Sequence, residues 1–138
     1  MSNIKNIEYN DTDGKFIITL KDDLKYGIFY DMNILCCNEP DFLIYFNNEL
    51  LKETDLELIK NFEFIKIKSL TWTETETIFK NFFNKRINNI SKSDITESFE
   101  LEFNNSNKLN ILCTNYHNGY YPNEVTYYNG NKIDKFEI

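Results

Sequence analysis

Apolar and polar residues alternate with a period of two over most of this chain. Phe99, Leu101 and Phe103 are spaced by Glu100 and Glu102, which is how a strand reads with one face on a core and one in water. A polar turn over residues 104–108 follows, and Leu109, Ile111 and Cys113 then share a face on a return strand. The same pattern predicts strands over residues 4–9 and 15–20, joined by the polar turn Asn10-Asp11-Thr12-Asp13-Gly14. A third strand is predicted over 26–32, with Ile28 and Tyr30 on one face and Phe29 on the other. Residues 42–46 and 62–70 add two more strands. Residues 124–128 and 132–137 form a closing hairpin about Asn129-Gly130-Asn131.

Two segments change period. Thr54 stands three residues before Glu57, the spacing of a capping box, so a short helix is predicted to start at Thr54. Ile78, Phe79, Phe82, Phe83, Ile87 and Ile90 recur at helical intervals, and Thr73 and Glu76 have the capping spacing. These predict a helix over about residues 74–89, although the Thr/Glu alternation of 71–79 also suits an exposed strand. Nothing repeats at a fixed period and no linker divides residues 1–138. The expectation is a single α+β domain dominated by an antiparallel β-sheet, with one or two helices packed on it.

Composition narrows the function more than the fold. The 138 residues are 41% hydrophobic and 16% aromatic, enough to build a core. Alanine and glutamine are absent, and Val125 and Arg86 are the only valine and arginine. The abundant Asn, Ile, Lys, Phe and Tyr have A/T-rich codons, so the asparagine runs are read as loop filler. A net charge of −7 with one arginine disfavours binding to nucleic-acid backbones, which needs clustered cations, and suits a basic protein partner. Cys36, Cys37 and Cys113 are odd in number and include no CxxC pair, so reduced thiols are expected. No apolar signal core opens the chain and no apolar run approaches a membrane span. The expectation is a soluble cytoplasmic protein with no membrane contact, its oligomeric state left open.

Candidate chemistry gathers in Tyr116-His117-Asn118-Gly119-Tyr120-Tyr121-Pro122, which holds the only histidine. His117 beside Cys113 is the nearest approach to a nucleophile and base, yet no orienting group is identifiable. A zinc site from Cys36, Cys37, Cys113 and His117 lacks chelating spacing, and Asp31, Glu39 and Asp41 form no calcium loop. Walker, dinucleotide-binding and HExxH motifs are absent, so no cofactor and no metal are expected. Tyrosine supplies rigid contact area with a hydroxyl, which makes Tyr116, His117, Tyr120, Tyr121 and Tyr128 the interface candidates. Tyr127 and Tyr128 point to opposite faces of a strand, so one of them is expected at the surface.

The early hairpin, Asp31 ahead of Cys36-Cys37, Trp72-Thr73, and a late strand entering Asn118-Gly119-Tyr120-Tyr121 before Val125 together resemble a family. It is a family of small uncharacterised phage and bacterial proteins with a Cys-Cys stretch and a late Asn-Gly-Tyr-Tyr turn. The chain departs from that pattern in the separation of Asp31 from Cys36 and in residues 79–94, which look inserted. The resemblance implies a viral or mobile-element setting and no activity. The leading expectation is a non-enzymatic protein-binding module, an inhibitor such as an immunity or anti-defence protein. The alternatives are a small-ligand or nucleotide-handling hydrolase using His117 with nearby carboxylates, and a viral structural or assembly subunit.

Overall fold

The computed structural model describes residues 2–34, 38–84, 96–116 and 122–138. The first strands are β1 (Ile4–Asn10), β2 (Lys15–Leu20), β3 (Lys25–Tyr30), β4 (Glu39–Phe46) and β5 (Glu49–Leu50). Helix α1 (Glu53–Ile59) leads to β6 (Phe64–Ser69), and then come helices α2 (Trp72–Ile78) and α3 (Lys80–Asn84). The chain closes with β7 (Thr96–Phe103), β8 (Lys108–Tyr116), β9 (Glu124–Gly130) and β10 (Lys132–Glu137). The strands form two five-stranded antiparallel sheets, ordered β1-β2-β3-β9-β10 and β5-β4-β8-β7-β6. This is an α+β domain dominated by antiparallel strands.

The two sheets pack face to face over one core. Phe16, Ile18, Ile28, Tyr30 and Val125 of the first sheet meet Ile44, Phe99, Leu101, Leu109 and Ile111 of the second, all buried in a single cluster. Phe99 lies 5.0 Å from the Tyr127 ring and 6.4 Å from Phe136, and Tyr26 lies 4.6 Å from Phe64, so aromatic contacts bridge the two sheets. Burying each such side chain contributes about 1.5–3 kcal/mol relative to leaving it in water. Tyr30 places a hydroxyl inside this layer and satisfies it by donating to the Thr114 carbonyl at 2.7 Å.

Helix α2 packs as a third layer on the far face of the second sheet, with α3 continuing from it. The Thr75 and Ser98 hydroxyls hydrogen-bond across that contact, and the Phe79 ring lies 4.9 Å from Tyr45. Strand β8 is buried on both faces from Leu109 to Asn115. Among the described residues no helix is long and apolar enough to cross a membrane.

The predicted strands are present, and three details differ from expectation. A continuous helix over 74–89 is replaced by α2 and α3, separated at Phe79, which leaves helical geometry (φ −102°, ψ 24°); residues 85–89 lie outside the described residues. The capping box is Thr71 with Glu74, not Thr73 with Glu76. The Thr71 amide donates to Glu74 Oε1 at 3.0 Å, and the Glu74 amide donates to Thr71 Oγ1 at 3.2 Å. Helix α1 starts at Glu53 and encloses Thr54, and the Asp55 carboxylate accepts the Lys52 amide at 2.9 Å in place of the expected Thr54 cap.

Candidate interaction surface

The outer faces of the two sheets have different fates. Helix α2 packs on part of the second, whereas the first stays open among the described residues. Register sets what it displays. Ile17 pairs with Gly27, Gly27 with Tyr128, and Tyr128 with Ile133, forming one row across four strands. In the adjacent row Lys15, Phe29, Thr126 and Lys135 are neighbours in turn. Phe29 and Ile133 are 38% and 57% exposed, large apolar groups left in water on an acidic protein.

Gly27 keeps this face flat. Its φ of +149° is one that side chains rarely adopt, and a Cβ there would fall on the Phe16 carbonyl of the neighbouring strand. Lys15 Nζ sits 5.5 Å from the Phe29 ring centroid and 3.7 Å from Glu8, so one cation serves both the ring and a carboxylate. Beyond Phe29 a cleft of about 290 Å³ opens between Asp13, Asp31 and Met32. One end of the open face therefore carries carboxylates.

Tyr128, an expected interface residue, lies half-buried on this face, while Tyr127 turns inward to Phe99. Tyr116 does not join it. That residue ends β8 in the second sheet, opposite Glu39, and is 41% exposed. His117, Tyr120 and Tyr121 lie outside the described residues, as do Cys36 and Cys37. The structure thus brings Tyr128 together with Phe29 and Ile133, which the sequence reading had not singled out. A signal for both was present. Phe29 opposes Ile28 and Tyr30, and Ile133 stands three residues from Phe136, so on a strand only one of that pair can face the core. Phe136 does, 6.4 Å from Phe99.

Cys113 is buried between the sheets; burial, reinforced by Glu97 opposite it, pushes its thiol pKa well up. A thiol held neutral in this way is inert as a nucleophile. Among the described residues no group of three His, Cys, Asp or Glu side chains is placed to hold a metal ion. Asp31 instead accepts the Asn33 amide at 3.0 Å. Asn38 and Asn123 flank the segments 35–37 and 117–121 and are tied by a 2.9 Å hydrogen bond. Asn123 Nδ2 also donates to the main-chain oxygens of Asp31 (2.8 Å) and Asn33 (2.9 Å).

Compared with known proteins, the chain matches no family model, no curated protein sequence and no solved structure.

Proposed function

We propose that this protein is a non-enzymatic protein-binding module of the inhibitory kind, occluding a partner that docks on the outer face of the first sheet. The observation that carries this reading is the open apolar row of Tyr128 and Ile133 beside Phe29. Aromatic and aliphatic anchors on a rigid sheet suit the centre of an interface, because little side-chain entropy is lost on binding. Asp13 and Asp31 at the edge of the row and a net charge of −7 favour a partner with a basic rim. Five strands about 4.8 Å apart and six residues of about 3.4 Å give a face of roughly 24 by 20 Å. A standard interface covers about 800 Å² on each side, so the partner also reaches the flanking turns.

Placing a photocrosslinking residue at Ile133, with a control at Glu57 on α1, tests the reading in the cells that make the protein. One adduct to a different, basic protein is expected from position 133, absent from position 57 and lost when Phe29 is changed to Ser. Equal labelling from both positions, or none, would reject it. An adduct between two copies, with a doubled mass in solution, would replace it with self-association.

A further inference from the structure

The outer face of the second sheet buries several polar side chains around Leu112. Ser98 at 1% exposure is satisfied by Thr75, and Thr114 approaches Asp41 at 3.5 Å. Glu100 and Asn110 have no such cover. They are cross-strand neighbours on β7 and β8, 8% and 3% exposed, and lie beyond the end of α2. Both line a cavity of about 310 Å³ bounded by Ile78, Lys108, Ser106 and the Asn47-Asn48 turn. The Asn110 carboxamide oxygen is buried without a hydrogen-bond partner among the described residues. A buried acceptor left unpaired costs folding free energy, so the residue is poorly explained by stability alone. The Glu100 carboxylate lies 3.7 Å from Lys108 Nζ, an ion-pair distance too long for a direct hydrogen bond.

The cavity is preformed. Asn47 Nδ2 donates to Asn107 Oδ1 at 3.0 Å, and Asn47 Oδ1 accepts the Lys108 amide at 3.0 Å, which pins the turn against the neighbouring one. Asn47 and Asn48 both hold positive φ, 48° and 70°, so the turn is a fixed shape.

We propose that this cavity binds one neutral sugar ring through adjacent hydroxyls. Glu100 and Lys108 cancel in charge, so an ion of either sign meets one repulsive group. The carboxylate accepts, the ammonium donates, and the carboxamide does both, all within one small space. Adjacent hydroxyls each donate and accept, so a diol bridges Glu100 and Asn110 while the C–H face of the ring rests on Ile78. The volume stands at the low end for ligand pockets, about 300–1,000 Å³, which suits a single ring.

The test is an amide NMR titration of the full chain with glucose, galactose, mannose, N-acetylglucosamine and ribose, using arginine and acetate as charged probes. At least one sugar is expected to give saturable shifts at the Asn110 side-chain amide and at Asn48 and Lys108. Glu100→Gln is expected to weaken that sugar by about tenfold or more while spectral dispersion is retained. Lys108→Ala, at an exposed position, serves as the second variant and is expected to weaken it too. The proposal is overturned if no sugar gives saturable shifts there, if arginine or acetate binds there as well as any sugar, or if both variants keep full affinity.

Discussion

At the scale of single residues, the inner face of the second sheet carries one charge that works against folding. Glu97 faces Cys113 in register, and burial raises its carboxyl pKa. A carboxyl that holds its proton more tightly folded than unfolded penalises the folded state whenever it is ionised. Stability therefore falls as pH rises from the ordinary glutamate range, about 4.3, through the raised folded value, and it stays reduced above. Glu97→Gln cannot ionise. It is expected to melt above wild type at neutral pH, with the gap closing on acidification, and thermal melts at both pH values measure this. A variant that melts lower at neutral pH would show that the Glu97 charge is being used. Orientation at this scale was legible in the sequence, since strand alternation separates Tyr127 from Tyr128. Burial of Glu97 was not, because an acidic residue in a strand reads as solvent-facing until its opposing sheet is known.

At the scale of elements, strands were easier to read than helices. Alternation over β7 and β8 specifies a pleated surface with few competing readings. The run from Ile78 to Phe83 has helical spacing, but it says which residues are apolar and not where the axis turns. Phe79 is the pivot. It leaves helical geometry, is fully buried, and covers Tyr45 on the outer face of the second sheet. Phe79→Ala is expected to cost about 3–5 kcal/mol, as truncation of a buried Phe does, read as a lower urea midpoint. A loss under about 1 kcal/mol, the scale of a surface change, would mean that α2 does not depend on this contact.

At the scale of the whole molecule, a period of two gives each strand its faces but not its partner sheet. Nothing local distinguishes β3 from β4, although they belong to different sheets. The pairing of β3 with β9 joins distant parts of the sequence, so the closeness of Phe29 to Tyr128 and Ile133 could be seen only in the fold. The sheets also need fastening where the strands end, and asparagines supply it. On one side Asn3 Oδ1 accepts the Phe64 amide at 2.8 Å, and Asn3 Nδ2 donates to the Phe64 carbonyl at 3.0 Å, linking the start of the first sheet to β6. The other link runs through Asn123, which binds Asn38, Asp31 and Asn33 and is 3% exposed.

Burial decides which of the two fastenings matters more. Asn123→Ala removes from a buried side chain one acceptor for the Asn38 amide and the donor to the Asp31 and Asn33 carbonyls, whereas Asn3 is only half-buried and solvent can take its place at Phe64. Asn123→Ala is expected to cost about 2–3 kcal/mol and Asn3→Ala about 1 kcal/mol. Urea unfolding followed by Trp72 fluorescence and by far-UV circular dichroism measures both, and the two signals should move together if the sheets unfold as one unit. Equal losses would mean that water reaches Asn123. Separated transitions in Asn123→Ala would mean that this fastening, more than the shared core, couples the sheets.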